Sequence, residues 1–393
     1  MRRPPALPSG PYAPPVPVRD LTVVSADGSR LHAELHGPDD AGAPAVLLAH
    51  GWTCSTAFWA PVVRALSADH RVIVYDQRGH GRSPAPGPGG YSTNALADDL
   101  VAVLEATLPP GRRAVLAGHS MGGMTLMAAA GRPGLRERAA AAVLCSTGAS
   151  RLVDRSRVVP LRSPRARARV HRALLGSRAP LGPITPLSRR LVRYATMGPG
   201  ADPATVDVCA RILHACPRAV RAGWGRVLLD IELDARIGEL TMPTAVIVGT
   251  ADRLTPPEHA HALAAGLPHC TGVTELPGLG HMTPMEDPGA VAGVIRALAE
   301  EYGGGREPRG EAEARAPFGG VREARGEVRE VRGEAREARG GVREARGGVR
   351  EAREDGREVP ADARAPFEGV REARATTVTE AGDPAVEAKE QTA

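Results

Sequence analysis

Three residues of this chain, Ser120, Asp252 and His281, have the types needed to turn a hydroxyl into a nucleophile. A serine hydroxyl attacks poorly at neutral pH. It needs a base to take its proton, a group to orient that base, and donors for the oxyanion that forms on the substrate. Ser120 lies in Gly118-His119-Ser120-Met121-Gly122, after the apolar run 114–117 and before residues 123–130, which read as helix. A strand, a sharp turn and a helix would hold Oγ clear of the backbone at the apex of the turn. Asp252 lies in the loop 250–257, which leaves the apolar strand expected at 245–249. His281 lies in a Gly-rich loop, 278–284, after a short strand expected at 272–276.

These loops need a common scaffold. Residues 21–37 alternate apolar and polar around Asp27-Gly28, which predicts a β-hairpin. Strands and helices then alternate to about residue 148, the pattern of an α/β fold with a mostly parallel sheet and helices on both faces. One helix should start at Ser92 or Thr93, carry Leu96, Leu100, Val103 and Leu104 on one face, and end before Pro109. A strand at 45–49 should end in His50-Gly51-Trp52, where Gly51 permits a tight turn that aims the Trp52 amide into the site. Loops at the carboxyl ends of the strands would then meet above the sheet.

Five segments together carry a family resemblance: His50-Gly51-Trp52, Asp76-Gln77-Arg78-Gly79-His80-Gly81-Arg82-Ser83, the Ser120 turn, the Asp252 loop and the His281 loop. On them the chain resembles the α/β-hydrolase superfamily, in its serine-nucleophile esterase and lipase-like branch, over about residues 21–301. The resemblance implies acyl transfer to water: Ser120 attacks, His281 is general base and then acid, and Asp252 orients the imidazole. The backbone amides of Met121 and Trp52 would bind the oxyanion, a contribution of roughly 3–4 kcal/mol per donor in serine proteases. No metal or cofactor is implied. Related epoxide hydrolases and haloalkane dehalogenases carry aspartate at the turn, so Ser120 argues against both. The expected substrate is a carboxylic ester with an acyl group of medium size. Thioesterase, lactonase, C–C bond hydrolase and cofactor-free haloperoxidase or perhydrolase chemistry share the same three residues. A ligand-binding protein on a retained fold is the non-catalytic alternative.

The same residues have plainer roles open to them. Asp252 could cap the helix that Pro256-Pro257-Glu258 begins, but the family's other acid position, after the strand at 142–145, offers only Ser146 and Thr147. His50 and His119 are expected to be structural, and Asp76 and Arg78 to stabilise the loop after the strand at 71–75.

Composition bounds the remainder. Of 393 residues 42% are hydrophobic, enough for a sizeable core, and 49 of the 50 basic residues are arginine, with Lys389 the one lysine. Residues 1–20 read as a Pro-rich leader without the apolar stretch of a signal peptide, and no run of about eighteen apolar residues follows. Cysteines at 54, 145, 209, 216 and 270 suit neither a disulfide framework nor a zinc site, so a cytoplasmic location is expected. Cys54, two residues past Trp52, reads as a small buried filler.

The alternation breaks at 150–235, between the two parts of the core at 21–149 and 236–301, where a helical cap over the site is expected. Leu174, Leu175, Leu181, Ile184, Leu187, Val206, Ile212, Leu213, Trp224, Val227 and Leu228 are candidates to line an acyl pocket or to bury the underside of the cap. Within 151–193, twelve arginines face one acid, Asp154. A solvated helical face, weak contact with an anionic surface, and an anionic substrate all stay open. From 302 to 393 the composition changes to a low-complexity tail that includes five tandem heptads at 320–354. Seven glycines between 320 and 348, each costing a helix about 1 kcal/mol, favour disorder over a coiled coil. From residue 303 onward 18 basic residues oppose 20 acidic ones, so a nucleic-acid partner is not expected, and the tail's own partner is not legible.

Overall fold

The computed structural model describes residues 10, 12–39, 42–87 and 89–303. The tail from 304 onward and most of the Pro-rich leader therefore lie outside the described residues.

Eight strands form one sheet: β1 (Arg19–Val24), β2 (Arg30–His36), β3 (Ala45–Ala49), β4 (Arg71–Tyr75), β5 (Ala114–His119), β6 (Ala139–Cys145), β7 (Thr244–Gly249) and β8 (Cys270–Leu276). Their spatial order is β1-β2-β4-β3-β5-β6-β7-β8. The β1–β2 and β2–β4 pairs are antiparallel and all the others parallel. The hairpin expected around Asp27-Gly28 is β1–β2, and Gly28 takes the left-handed φ of 81° that its turn requires.

Strands β3 to β7 are buried along their whole length, as continuous apolar runs in a sheet covered on both faces should be. Alternate side chains enter different cores. Leu47, Ile73, Leu116, Leu144 and Val246 pack on one face with α2 (Thr93–Thr107) and α3 (Met121–Ala129). Val46, Leu48, Val72, Val74, Val115, Val143 and Ile247 pack on the other with α1 (Ala60–Leu66) and the last helix, Pro288–Tyr302. Ser92 caps α2 through Oγ, which accepts the Ala95 N–H at 3.1 Å, and the predicted Leu96, Leu100, Val103 and Leu104 are its buried face. The short α4 (Pro133–Arg138) leads into β6.

Between β6 and β7 the chain is helical, as expected for 150–235: α5 (Leu152–Arg155), α6 (Pro164–Leu175), α7 (Pro186–Thr196), α8 (Pro203–Ala215), α9 (Arg218–Leu229) and, at the return to the sheet, α10 (Asp234–Ile237). Helix α11 (Pro257–Gly266) joins β7 to β8, and α12 (Thr283–Glu286) precedes α13 (Pro288–Tyr302). The cap is tied to the core by Trp224, fully buried, whose Nε1–H donates to the Arg78 carbonyl at 3.1 Å, and by the Trp52 indole, which donates to the Arg221 carbonyl at 3.0 Å. Among the described residues no helix is long and apolar enough to cross a membrane.

Candidate active site

The loops that follow β3, β5, β7 and β8 converge on one cavity at the carboxyl end of the sheet. Its volume is about 230 Å³, and Trp52, Ser120 and His281 all line it. Ser120 lies between β5 and α3, as the N-cap of α3, with φ 52° and ψ −117°, a conformation that L-residues rarely adopt. The strain is held by close packing. A Cβ on Gly122 would lie 2.1 Å from the Ala49 carbonyl oxygen, and one on Gly118 would lie 2.5 Å from Gly122. Glycines on both sides thus let the turn sit against β3, and the Thr147 hydroxyl fixes it from below by donating to the Ser120 carbonyl at 2.7 Å. Among the described residues Ser120 Oγ itself has no hydrogen-bond partner.

Asp252 and His281 meet. Asp252, buried, accepts His281 Nδ1–H on Oδ2 at 2.8 Å. The same carboxylate accepts the Leu254 and Thr255 amides on Oδ1 at 2.8 and 3.0 Å and the Thr255 hydroxyl on Oδ2 at 2.9 Å. It therefore shapes its own loop, whereas the N-terminus of α11 is Pro256 with no side-chain cap. The helix-capping alternative for Asp252 does not occur. With Nδ1 engaged, Nε2 of His281 is the ring nitrogen left for a proton arriving from the cavity.

Residues that the sequence did not single out hold the histidine loop. The Thr255 hydroxyl also lies 3.2 Å from His281 Nδ1, and the Thr196 carbonyl at the end of α7 accepts the amides of His281 and Met282 at 2.9 and 3.1 Å. Glu286, whose carboxyl burial pushes its pKa up, accepts the Gly280 and Gly198 amides at 3.0 and 2.7 Å. His119 is a strut, as expected: its Nε2–H donates to the His281 carbonyl at 2.9 Å, so the serine turn and the histidine loop are bonded directly. Burial and the neighbouring His281 hold His119 neutral. Of these groups only Thr255 carried a local signal, since an Asp with Thr three residues on is the spacing of a side-chain turn.

The loop after β3 corrects one expectation. Gly51 is needed for proximity rather than for a left-handed turn: a Cβ there would lie 2.8 Å from His119 Nδ1 and 3.1 Å from Ser120 Cβ. The left-handed residue is Thr53, with φ 64°. Its amide donates to His80 Nε2 at 3.2 Å, while the Gln77 amide donates to His50 Nε2 at 3.0 Å and His50 Nδ1–H donates to the Gly51 carbonyl. Burial lowers the pKa of His50 to about 3 and of His80 to about 4, so both accept these amides as neutral rings. The amides of Trp52 and Met121 have no hydrogen-bond acceptor among the described residues. Met121 is also the first residue of α3, where the helix dipole adds partial positive charge.

The Asp76 and Arg78 loop is structural in the way the sequence suggested. Asp76 accepts the Thr56 and Arg82 amides at 2.7 and 2.8 Å, and Arg78 forms two 2.6 Å bonds to buried Asp99 on α2.

From the cap, Leu152, Val153, Leu175, Ala195, Leu213 and Leu228 line the cavity, with Ser156, His171 and Thr196 as polar exceptions. Of the cap residues expected from the sequence, Leu175, Leu213 and Leu228 reach it. Leu174, Leu181 and Leu187 point to solvent, and Val206, Ile212 and Trp224 are buried in packing. Cys54 lines the cavity too, and burial pushes its thiol pKa far up, so it is an inert filler.

The family model described as "Alpha/beta hydrolase family" matches residues 46–294. The protein named "Putative carbamate hydrolase RutD" of Variovorax paradoxus (strain S110) is 36% identical over 254 residues, which cover 64% of this chain and 89% of that protein. Among solved structures, the thermophilic esterase from Thermogutta terrifontis (malate bound) superposes with a TM-score of 0.58 at 26% identity, covering 73% of this chain and 100% of that one. The enol-lactonase from Burkholderia xenovorans LB400 gives a TM-score of 0.58 at 26% identity over 72% of this chain and 100% of its own.

Proposed function

The chain belongs to the alpha/beta hydrolase family, and from that premise we propose that it is a serine hydrolase that cleaves carboxylic esters through an acyl-enzyme on Ser120. One observation carries the reading. Ser120 is held in a strained apex conformation on the wall of the same cavity as His281, whose far ring nitrogen is fixed by a buried carboxylate.

In the proposed reaction Ser120 Oγ adds to the ester carbonyl while His281 Nε2 takes its proton. The oxyanion forms against the amides of Met121 and Trp52. His281 then passes the proton to the leaving alcohol, takes one from water, and the hydroxide so formed releases the acid. Asp252 stays ionised, holding the Nδ1–H tautomer and balancing the imidazolium that appears between steps. The apolar cap residues around the cavity suit an acyl chain, and about 230 Å³ is below the roughly 300–1,000 Å³ of sites for drug-sized ligands, so the acyl group is a short one.

The relatives named as carbamate hydrolases favour a second reading, in which the same serine attacks a carbamate carbonyl. The mostly apolar cap lining favours the ester, because a carbamate's N–H groups need acceptors that only a few hydroxyl and imidazole side chains, Thr53, Ser156, His171, Thr196 and Thr255, could supply. Rates on matched short-chain esters, thioesters, lactones and carbamates separate the readings. We expect kcat/KM to be highest on short esters, to fall as the acyl chain outgrows the cavity, and to be lost on all of them in Ser120→Ala. A preference for the carbamate by more than about tenfold, about 1.4 kcal/mol in transition-state binding, would replace the ester reading with the second one.

A further inference from the structure

Exposed apolar side chains are distributed unevenly over this protein. Apart from Val16, Val18 and Val24 near the N-terminus, the large hydrophobic residues exposed to solvent are Leu161, Leu174, Leu181, Leu187, Leu191 and Tyr194. All six fall within 161–194, on α6, α7 and the segments that adjoin them. Helix α7 has no buried side chain, and its Leu187 and Leu191 are 65% and 59% exposed. With Tyr194 they recur at i, i+4 and i+7, on the side of the helix away from Arg189, which pairs with Asp207 on α8 at 2.7 Å. The helix is therefore held to the cap by its polar side and shows Leu187 and Leu191 outward, while the Arg253 guanidinium covers the Tyr194 ring at 4.6 Å. Folding alone gives no reason for that orientation, since a lone exposed leucine is ordinary but a helical stripe of them marks a contact surface.

Charge identifies the contact. Arg162, Arg165, Arg169, Arg172, Arg178, Arg190 and Arg193 are exposed and make no salt bridge among the described residues. Arg165, Arg169 and Arg172 form their own i, i+4, i+7 stripe on α6. The only acid in residues 151–193 is Asp154. Exposed leucines in the same stretch of the cap as unpaired arginines, Arg190 and Arg193 on α7 itself, match the boundary of an anionic bilayer, where guanidinium groups meet phosphate oxygens in pairs and the apolar stripe enters the acyl region. A second copy of the same face would bring like charges together, and a soluble polyanion would leave the leucines without partners.

We propose that the outer face of α6 and α7 docks the protein on an anionic phospholipid bilayer. Both helices also wall the catalytic cavity, α6 through His171 and Leu175 and α7 through Ala195 and Thr196. Docking by this face sets the cavity beside the lipid phase, and on the proposed ester-hydrolase reading it draws substrate from molecules dissolved there.

The test is sedimentation of the full chain with phosphatidylcholine vesicles, with and without phosphatidylglycerol. The chain binds only the phosphatidylglycerol-containing vesicles, and raised salt releases it. The double variant L187S/L191S weakens binding by about tenfold or more, and R165Q/R169Q/R172Q by about a hundredfold. Both keep the wild-type circular dichroism and turnover of a soluble short ester, because none of the five side chains lines the cavity. Equal binding to both kinds of vesicle, no binding, or binding retained by both variants overturns the proposal. So does binding that only the arginine variant loses, which marks a polyanion site, and so does a dimer that L187S/L191S dissociates. Vesicle binding is read without turnover, so an inactive but docking Ser120→Ala protein leaves this proposal standing and an undocked active protein leaves the catalytic one.

Discussion

In the proposed reaction His281 serves only while its ring is held in one tautomer and one orientation, and its neighbours divide that task. Asp252 Oδ2 holds Nδ1–H at 2.8 Å, and the backbone of the loop is held by the Thr196 carbonyl and the His119 imidazole. Replacing Asp252 by asparagine keeps the shape but offers the ring an N–H where it needs an acceptor or forces the wrong tautomer. Asp252→Asn should lower kcat by roughly 10⁴-fold, the size of the corresponding change in serine proteases, with KM little altered; steady-state kinetics on a short ester checks it. A loss below about tenfold would mean that Asp252 only shapes its loop. Ser120 and Asp252 were legible as candidates because each follows an apolar strand, and His281 because it lies in a Gly-rich loop after a short one. Their supports were not. Thr196 and Glu286 act through a carbonyl and through contacts between segments more than 80 residues apart, 88 for Gly198 and Glu286, and nothing local marks such a pairing.

Elements position the site by meeting at fixed points, and one such point is the loop after β4. Arg78 joins it to α2 through two bonds to Asp99, to the β1–β2 turn through Asp27 at 2.9 Å, and to the cap through the bond from Trp224. Arg78 and Asp99 are both almost fully buried, so removing one leaves an uncompensated charge inside the protein. Arg78→Met should destabilise the fold by about 3–5 kcal/mol in urea unfolding, while Arg78→Met with Asp99→Leu should recover much of the loss. If the single variant unfolds like wild type, this pair does not secure the cap to the core. The sheet and the two helical layers followed from the alternation of apolar strands with amphipathic helices, since burial on both faces leaves little choice of topology. The cap was legible as helix but not in phase. Leu174 and Leu175 are sequence neighbours, yet one is solvent-exposed and the other lines the cavity. Periodicity fixes which residues share a face; only the partner of that face decides whether it looks inward.

Over the whole molecule, neutral buried histidines set the response to acid. Burial depresses the pKa to about 3 for His50 and about 4 for His80 and His259, and takes His119 well below its usual value. The unfolded chain binds protons at these rings below about pH 6.5 while the native state does not, so stability is full above that pH and falls as pH drops toward 4. Each ring contributes up to about 1.4 kcal/mol per pH unit. Asp76, its pKa raised by burial to about 6, works in the opposite sense, as do the buried carboxyls of Asp99 and Glu286, but the histidines outnumber them. The thermal midpoint should therefore drop steeply between pH 7 and pH 5, and a midpoint unchanged over that range would show that these rings are already protonated in the native state. Two of the four, His50 and His119, adjoin the Trp52 and Ser120 loops, so acid should disturb the site as the fold loosens. Every step of the proposed reaction depends on an activated Ser120 hydroxyl. The most direct measurement is the intact mass of the full chain after exposure to a fluorophosphonate: wild type should gain one phosphonyl group and Ser120→Ala none. A well-folded wild-type protein that stays unlabelled, or a Ser120→Ala protein labelled as fast as wild type, would show that Ser120 is not an activated nucleophile.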